Sequence, residues 1–388
     1  MMTKFRFMTA GESHGNGLIA IIDGMVAGLP LTEEYIARDL SRRQFGYGRG
    51  GRMKIEREHA EIMSGVRHGY TIGSPISLFI QNRDWSNWQE AMSVAPVKKK
   101  IDPITSPRPG HADLAGLMKY GLSDIRSVLE RASARETAAR VAAGAVARRF
   151  LNEFGIVIHS HTLSIGEHSI GALKKVDWDE VEKSPVRCAV EAAAKAMVAA
   201  IDKAKAEGDT LGGVSEIVAT GVPIGLGSHV QWDRRLDGRI AQAVMSIQAV
   251  KGVEIGDGFA MAHKRGSESH DIIVPPAQKS LYSWRRPTNR AGGLEGGISN
   301  GESIVVRAAI KPIATLASSL PSIDLKTKAK VKAHHERSDV CVVPATGVIA
   351  EAMLAIVLAD AMLEKFGGDH LCETMANYRQ YLASLPYK

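Results

Sequence analysis

Hydrophobic residues along the chain fall into short apolar runs separated by glycine- and proline-rich turns, and into a few longer patterns with helical spacing. The clearest helix is predicted from near Ser127 to Phe154, because small apolar residues recur on one face, and Gly155 is expected to end it. Further helices are predicted over about Arg187–Glu207, Leu236–Val250 and Gly347–Phe366. Strands are predicted over Gly17–Ile22, Ile76–Ile80, Ile156–Ser160, Val214–Thr220 and Ser303–Ile310.

The composition is that of an ordinary globular protein. Of 388 residues, 45% are hydrophobic and 23% are charged, which excludes disorder, collagen and coiled coil as the main architecture. Only 5% are aromatic, so the core must rest on alanine, valine, isoleucine, leucine and methionine. No fixed-period repeat and no linker rich in proline or serine divides the chain. Residues 1–388 are therefore expected to form one domain.

Charge and cysteine content bear on partners and compartment. Lysine and arginine number 49 against 42 for aspartate and glutamate, an excess that serves solubility or indicates acidic ligands. Cys188, Cys341 and Cys372 lie far apart without a CxxC motif, which favours a reducing compartment. No apolar run approaches the roughly 18 residues that span a bilayer, and the N-terminus has no signal peptide. We expect a soluble, cytoplasmic protein without membrane association.

Several common cofactor and metal motifs are absent from the sequence. It contains no GxxxxGK[ST], no HExxH and no cysteine–histidine spacing typical of zinc. The run from Gly15 to Ala20 fits only a relaxed GxGxxA pattern and does not lie cleanly between a strand and a helix, which disfavours a Rossmann fold. His159 and His161 could share one strand face, but a third ligand is missing and no metal is expected.

Two glycine-containing segments carry candidate ligand-binding side chains. His14 lies between a hydroxyl and a glycine in GESHG, where it can reach a ligand, although such a segment taken alone is more often an ordinary turn. The segment RRQFGYGRGGRMK is the second. Glycine lets backbone N–H groups approach an anion, and arginine binds phosphate or carboxylate through two parallel hydrogen bonds. A basic surface loop is the open alternative. Its arginines are Arg42, Arg43, Arg49 and Arg52.

Three further segments add charged side chains in restrained positions. In PRPGHAD, prolines fix the loop, so Arg108 and His111 can be held in place at low entropic cost. Arg131 and Arg135 are four residues apart and share one helix face, and ERSD supplies the carboxylate of Asp339. Many arginines, two loop histidines and a carboxylate suit a small, multiply anionic substrate and proton-transfer chemistry. The residues alone do not name the reaction.

Eight segments, in order along almost the whole chain, resemble the chorismate synthase family. Any one of them is moderately specific, whereas all eight in the family's order are strongly specific. They are GESHG (11–15), RRQFGYGRGGRMKIE (42–56), PRPGHAD (107–113), RASARET (131–137), GDTLGG (208–213), GVPIGLGS (221–228), GGLEGGISNG (292–301) and ERSD (336–339).

The resemblance implies an activity, a fold and an assembly. The activity is that of a lyase converting 5-enolpyruvylshikimate 3-phosphate to chorismate and phosphate by 1,4-anti elimination, the last step of the shikimate pathway. It requires reduced FMN without net redox change. The implied fold is α+β, a single-domain β-α-β sandwich with helices layered inside strands. The implied assembly is a homotetramer, and the alanine-rich helices with few aromatics also suggest that surface is buried between chains.

The resemblance also implies roles for individual residues. His14 would protonate the departing phosphate, His111 would lie by the flavin and stabilise charge on the reduced ring, and Asp339 would work with flavin N5 to remove the ring proton. Substrate phosphate and carboxylates would be held by Arg43, Arg49, Arg52, Arg108, Arg135 and Arg337. The flavin would contact Arg131, Ala132, Ser133, Gln248, Ala249, Gly296, Lys311, Pro312, Ile313, Ala314, Thr315 and Arg337.

Two positions depart from the family's usual pattern. Gln248 stands where asparagine is common, which keeps an amide but lengthens its reach and puts that contact in doubt. Ala314 stands where proline is common, which loosens a loop without removing a functional group. Neither change touches the proposed acid, base or arginines.

Two other function classes share some of these features. A redox flavoprotein would use the same phosphate-binding arginines but would consume one reduced flavin per turnover. A nucleic-acid-binding protein would interleave basic residues with aromatics, and only Phe45 and Tyr47 lie in the basic loop, so no nucleic-acid partner is expected. No added domain for NADPH-dependent flavin reduction is evident, so an external NAD(P)H-dependent flavin reductase is the expected partner.

Overall fold

The computed structural model describes residues 4–50, 58–98, 101–171, 173, 175–276, 282–336 and 338–386. Its strands are β1 (Arg6–Ala10), β2 (Gly17–Asp23), β3 (Glu61–Ser64), β4 (Val66–Arg67), β5 (Tyr70–Thr71), β6 (Ile76–Gln81), β7 (Val157–Ile165), β8 (His168–Ser169), β9 (Gly213–Thr220), β10 (Val250–Ile255), β11 (Leu294–Glu295), β12 (Ile298–Ser299), β13 (Ile304–Ile310), β14 (Pro321–Ile323) and β15 (Lys330–Lys332). Its helices are α1 (Glu33–Gln44), α2 (Asp113–Tyr120), α3 (Arg126–Ala132), α4 (Thr137–Asn152), α5 (Trp178–Lys183), α6 (Glu191–Glu207), α7 (Leu236–Met245), α8 (Gly266–Ser269), α9 (Val343–Phe366) and α10 (Leu371–Ser384).

Two antiparallel sheets form the outer layers of the fold. One sheet has the strand order β1-β2-β6-β3, and the other has the order β10-β13-β9-β7-β8. Side chains alternate along each strand, as a pleated sheet with one buried face requires. In β2, for example, Leu18, Ala20 and Ile22 are buried, whereas Ile19 and Ile21 are exposed.

Helices fill the space between the two sheets. Helix α4 packs on β2 and β6 of the first sheet, and α9 packs on β7 and β9 of the second. These two helices pack on each other, and α1 and α7 complete the layer against α9. Buried apolar side chains of both sheets and of this layer form one contiguous cluster. The expected β-α-β sandwich, with helices inside and strands outside, is confirmed.

Close packing of α4 against α9 explains why these helices are rich in alanine. A Cβ added to Gly144 of α4 would lie 2.3 Å from the Cβ of Ala352 in α9, so the helices approach more closely than larger side chains allow. Almost every residue of both helices is buried inside this chain. The suggestion that alanine-rich helices are buried between chains was therefore wrong for these two.

Helix α9 corrects a second expectation. By length and composition alone its 24 residues could cross a membrane, although the sequence suggested that no apolar run was long enough. In the fold, 94% of its most apolar window is buried against other parts of the protein. The apolar run is that of a central core helix, surrounded by protein on all sides.

The predicted strands are confirmed, but β7 continues to Ile165, well beyond its expected end at Ser160. One predicted helix is interrupted, and another ends early. The long helix expected from Ser127 is interrupted at Ser133, whose backbone is extended, with φ −62° and ψ 139°. A short 3-10 turn, Ala134–Glu136, then leads into α4. The helix expected over 236–250 ends at Met245, and Ala249 adopts a φ of 69°, which a helix cannot contain. Both interruptions turn backbone toward the same cavity.

Candidate active site

A cavity of about 980 Å³ opens beside the first turns of α4 and α9. Thr137 of α4 and Thr346 of α9 lie in its wall. Unpaired N–H groups give a helix N-terminus a partial positive charge, so these two turns already favour an anion. Among the described residues, five arginine side chains also line the cavity: Arg43, Arg49, Arg108, Arg126 and Arg135. The wall is therefore suited to a ligand with several negative charges.

Arg43 and Arg135 form a buried group around one carboxylate. Both guanidinium groups donate to Glu58, from 2.9 Å for Arg43 Nη1 and 3.1 Å for Arg135 Nη1. Arg43 also donates to Thr137 Oγ1 and to the carbonyl of Ala134. Only 4% of Arg43 and 7% of Arg135 is exposed, so both guanidinium groups are largely shielded from water at the cavity wall. An anionic ligand group could pair with these buried cations.

Arg49 and Asp339 lie on the next part of the wall. Arg49 Nη1 is 3.4 Å from Asp339 Oδ2, and the backbone N–H of Gly50 donates to Asp339 Oδ1. Burial lowers the pKa of Arg49 below the ordinary value for arginine; Asp339 opposes this shift, and the positive charge of Arg43 adds to it. An incoming anion would relieve the repulsion between Arg43 and Arg49. Asp339 is thus held in place while its carboxylate still faces the cavity.

Arg108 and His111 are both attached to the buried carboxylate of Asp113. Asp113 accepts hydrogen bonds from the backbone N–H, Nε and Nη2 of Arg108 and from His111 Nδ1, the last at 2.5 Å. Burial alone would raise the pKa of Asp113, but the hydrogen bonds and charges of His111 and Arg108 hold it well below the usual range. The carboxylate therefore stays ionised and accepts the Nδ1 proton of His111. Arg108 also donates to Thr315 Oγ1 across the cavity.

His14 is also paired with a buried carboxylate, that of Glu130. Its Nδ1 lies 2.9 and 3.0 Å from the two carboxylate oxygens of Glu130 in α3. Its ring stacks on Trp88, with ring centroids 3.9 Å apart and planes inclined by 27°. The Ser13 hydroxyl accepts a hydrogen bond from Ser133 at 3.1 Å, next to the histidine. The cavity thus holds two histidines that each use Nδ1 to contact a buried carboxylate.

Glu336 extends the charged surroundings of His14. Burial would raise the pKa of Glu336, but a hydrogen bond from His334 and the charges of His14 and Arg126 lower it below its ordinary value. His334 Nε2 is 3.1 Å from Glu336 Oε1, and Arg126 Nη1 is 3.7 Å from the same oxygen. All three line the cavity, so this wall carries ionised groups of both signs.

The cavity wall also offers polar groups that could bind a cofactor. Gln248 lines the cavity and donates through Nε2 to Glu136, which leaves its buried Oε1 without a hydrogen-bond partner among the described residues. Beside it, the carbonyl of Ala249 accepts from the N–H of Lys311, whose ammonium group donates to Gly110. A buried amide oxygen without a partner needs a donor from a ligand. The residues therefore fit a group with N–H donors and negative charge.

A model of the chorismate synthase family matches residues 5–363. The chain belongs to the chorismate synthase family. It is 58% identical to a chorismate synthase of Moorella thermoacetica, over 98% of this chain and 100% of that protein. It is 54% identical to a chorismate synthase of Aquifex aeolicus, over 97% of each chain. A crystal structure of a chorismate synthase covers 98% of this chain and 97% of its own, with a TM-score of 0.78 at 45% identity.

Membership of the chorismate synthase family makes this chain a biosynthetic enzyme of the shikimate pathway, a lyase that serves aromatic amino acid biosynthesis. Most of the residues that the resemblance suggested line the single cavity just described. They are His14, Arg43, Arg49, Arg108, His111, Ala132, Ser133, Arg135, Gln248, Ala249, Lys311, Ile313, Ala314, Thr315 and Asp339.

A few suggested residues are not brought to this cavity. Arg131 donates instead to the backbone carbonyls of Thr9 and Gly11, and its side chain is 42% exposed. Gly296 lies in the exposed turn between β11 and β12, and Pro312 faces solvent. Arg52 and Arg337 lie outside the described residues.

Arg42, one of the four arginines in the basic segment, does not point into the cavity. Its guanidinium group reaches Glu182 and Glu351 between the helices, away from the cavity. Successive side chains on a helix are rotated by about 100° around its axis, so Arg42 and Arg43 of α1 contact different neighbours.

Sequence reasoning missed the carboxylates that hold the chorismate synthase site together. Glu58 and Glu130 lie outside the motif residues that were assigned a role, and Asp113 was only part of a quoted segment. One local signal was available, because Arg126 and Glu130 are four residues apart on one helix and form an ion pair at 2.9 Å. The contact between His14 and Glu130 joins residues 116 positions apart, which spacing alone cannot reveal.

Proposed function

We propose that this chain converts 5-enolpyruvylshikimate 3-phosphate to chorismate and phosphate by a 1,4-anti elimination that requires reduced FMN without net redox change. One observation carries the proposal: two histidines, each paired with a buried carboxylate, share one cavity with several buried arginines. Such a site can bind a polyanion and donate protons at fixed positions.

Substrate binding falls to the arginines. The substrate carries a phosphate and two carboxylates, and each needs a cationic partner once it is removed from water. Arg43 and Arg135 offer buried guanidinium groups beside Glu58, and Arg49 and Arg108 lie on other parts of the wall. The proposal includes Arg52 and Arg337 as further substrate contacts. Several fixed cations orient the ring so that its reacting bonds face the proton-transfer residues.

The elimination breaks a C–H bond at one ring carbon and the allylic C–O bond to phosphate. The C–H electrons form a new ring double bond, the existing double bond moves one position along the ring, and the C–O electrons leave with phosphate. In this proposal Asp339 supports removal of the ring proton, and His14 donates a proton to the departing phosphate. The ionised Asp113 binds Nδ1 of His111 and keeps the ring oriented, so that Nε2 of the protonated ring can donate a hydrogen bond toward the bound cofactor.

We infer that FMN is held by the segments 132–133, 248–249 and 311–315, with Arg131, Gly296 and Arg337 as further contacts. When bound, reduced FMN supplies the electron density that makes loss of a weakly acidic ring proton feasible. Support comes from the buried Oε1 of Gln248, which has no hydrogen-bond partner in the part of the chain that the structure describes. Glutamine is a longer amide than the asparagine that is common at this position. An external NAD(P)H-dependent flavin reductase is proposed to keep the flavin reduced.

A homotetramer, with residues 1–388 folding as one domain in each chain, completes the proposal. The first sheet supports the assembly, because its outer face carries exposed apolar side chains. Met8 of β1 is 74% exposed, and its cross-strand partner Ile21 of β2 is 46% exposed. Apolar sheet faces of this kind usually pack against another protein surface. Unpaired Cys188 and Cys341 suit a reducing cytoplasm. Light scattering tests the assembly, and a mass of 41.8 kDa at micromolar concentration would contradict it.

One anaerobic assay tests the reaction against its redox alternative. The enzyme is incubated with a small amount of reduced FMN and excess 5-enolpyruvylshikimate 3-phosphate, and phosphate, chorismate and flavin oxidation are measured. Equal amounts of phosphate and chorismate, in many-fold excess over oxidised flavin, support the elimination. One reduced flavin consumed for each product formed would identify a reductase instead.

A further inference from the structure

We propose that Glu130 is a positioning residue for His14: it holds the proton on Nδ1 and thereby makes Nε2 the atom that donates to the leaving phosphate. The inference rests on the proposed function, because it takes His14 as the proton donor. After transfer of the Nε2 proton, the neutral ring keeps its Nδ1 proton in the hydrogen bond to Glu130. The carboxylate itself takes up no proton.

Three contacts attach the segment of His14 to this one residue. Both carboxylate oxygens of Glu130 lie within 3.0 Å of His14 Nδ1, and Oε2 also accepts the backbone N–H of His14 at 2.8 Å. The backbone carbonyl of Glu130 accepts the N–H of Ser13 at 3.0 Å. Glu130 is 1% exposed, so water does not compete for these bonds. A carboxylate that only accepts requires Nδ1 to be the donor.

Trp88 and Arg126 restrict the ring from the remaining sides. The indole of Trp88 stacks on the imidazole, and the guanidinium of Arg126 lies 5.0 Å from the centre of the Trp88 ring. Arg126 also donates to Glu130 Oε1 at 2.9 Å, which favours the ionised carboxylate. With one ring edge bound and one face covered, rotation of His14 about its side-chain bonds would break the contacts to Glu130. Nε2 therefore keeps one direction.

Several charged groups surround the imidazole of His14. Glu130 and Arg126 face it from α3, and Glu336 and His334 face it from the segment before Asp339. Of these, only Glu130 contacts the ring directly through an ionisable oxygen. Among these groups, removal of the Glu130 charge should therefore destabilise the protonated form of the imidazole most. Activity that needs the proton should then be lost at a lower pH than in the wild type.

A purely structural role for Glu130, as partner of Arg126, makes different predictions, and the chain contains a matched control. Glu216 on β9 contacts His161 Nε2 at 3.1 Å and Arg307 Nε at 2.8 Å, which repeats the glutamate, histidine and arginine combination. Neither Glu216 nor His161 lines the cavity. Glu216→Gln therefore breaks a similar polar group with no effect on the proton of His14.

The kinetic test compares Glu130→Gln, Glu130→Asp and Glu216→Gln with reduced FMN present. For Glu130→Gln we expect kcat to fall roughly 10- to 10³-fold with KM changed by less than about threefold, because a lost orienting group affects the transition state more than binding. The high-pH limb of its activity profile should move to lower pH, and Glu130→Asp should restore that limb. Glu216→Gln should keep wild-type kcat. Equal kcat values for Glu130→Gln and Glu216→Gln would overturn the proposal.

A second measurement does not depend on activity. Nitrogen NMR of the wild-type protein labelled in its histidine rings, assigned with His14→Ala, should show the neutral His14 ring protonated at Nδ1, and Glu130→Gln should raise the fraction protonated at Nε2. A wild-type ring protonated at Nε2 would refute the positioning role. His14→Ala also separates failure of the positioning role from failure of the proposed function. Near-normal turnover of that variant would show that His14 is not the proton donor, whatever the role of Glu130.

Discussion

Arg42 and Glu351 form a bidentate ion pair between α1 and α9, with Nη1 2.7 Å and Nη2 3.0 Å from the two carboxylate oxygens. Glu351 is completely buried and also accepts from Arg148 at 2.6 Å and from Ser160 at 2.6 Å. Arg187 contributes a third guanidinium group at 3.5 Å. The neighbouring residue of Arg42 on α1 is Arg43, which lines the cavity, so one buried carboxylate anchors the helix that presents Arg43 to the cavity.

Replacement of Glu351 should therefore destabilise the protein strongly. Glu351→Gln keeps the shape but leaves three arginines around a neutral group, and loss of one partner from a buried ion pair costs about 3–5 kcal/mol. Chemical denaturation measures the loss. Glu191→Gln, which removes an exposed pair with Lys195, is the matched control and should change stability by less than about 0.5 kcal/mol. Similar values for the two variants would mean that the buried network is not stabilising.

The same network predicts how stability depends on pH. Burial would raise the pKa of Glu182, but hydrogen bonds and charges from Arg187 and Arg42 lower it to about 2, against an ordinary value of 4.5. The pKa of Glu351 is lowered in the same direction by its arginines, against the effect of burial. A group whose pKa is lowered in the folded state stabilises fully above its unfolded pKa. That stabilisation is lost as pH falls through the interval between the two values.

Acidification from pH 5.5 to pH 3 should therefore lower the melting temperature of the wild-type protein. Glu182→Gln cannot take up this proton, so its melting temperature should fall less over the same interval, from a lower starting value. Scanning calorimetry at several pH values measures both slopes. Parallel slopes would show that protonation of Glu182 does not contribute to acid unfolding.

Two helical glycines should respond to alanine with opposite signs. Gly144→Ala places a Cβ 2.3 Å from the Cβ of Ala352, so α4 and α9 must separate, and overpacking of this kind costs about 1–3 kcal/mol. Gly238 in α7 has no heavy atom within 4 Å of an added Cβ. Gly238→Ala should stabilise the protein by up to about 1 kcal/mol through helix propensity. Unfolding in denaturant measures both, and stabilisation by Gly144→Ala would contradict the close helix contact.

These contacts show where sequence patterns stop being informative. Alternation of apolar residues was enough to place β2 and β13, because a half-buried strand shows its period directly. Helical spacing across 127–154 could not show the extended backbone of Ser133, since the residues on both sides of the break have good helix propensity. The family motifs located His14 and His111, but the carboxylate that orients His14 is far away in sequence. Pairs of buried charges that are far apart in sequence are determined by the fold. They produce no regular spacing from which they could be predicted.

Arg49 should contribute to substrate binding more than an exposed arginine. Its side chain is 11% exposed and lies beside Asp339 in the cavity wall, so a phosphate or carboxylate paired with it would be largely shielded from water. Arg49→Ala should weaken substrate binding by on the order of 2–5 kcal/mol, the usual effect of truncating a desolvated charge pair. Calorimetric titration with substrate measures the change. Arg38→Ala, whose side chain is 54% exposed on α1, should bind as the wild type does. A loss below tenfold for Arg49→Ala would place Arg49 outside the substrate contacts.

Asp339 should be needed for turnover and not for binding. Its Oδ1 accepts the N–H of Gly50, and asparagine can keep that bond because its amide oxygen has the same position. The other oxygen, Oδ2, faces Arg49 and would be replaced by an amide NH2 that cannot accept a proton. Asp339→Asn should therefore bind substrate and reduced FMN with little change, while turnover falls by roughly 10²-fold or more.

An isotope effect distinguishes loss of the proton acceptor from a general disturbance of the site. With deuterium at the abstracted ring position, Asp339→Asn should show a larger isotope effect than the wild type, because proton removal becomes more rate-limiting. Reduced FMN should still not be consumed in proportion to product. The variant His14→Ala is the comparison, since loss of the phosphate proton donor slows C–O cleavage instead and should leave the isotope effect smaller. If Asp339→Asn turns over at a near-normal rate, Asp339 does not accept the ring proton, and its contact with Arg49 only holds that arginine in place.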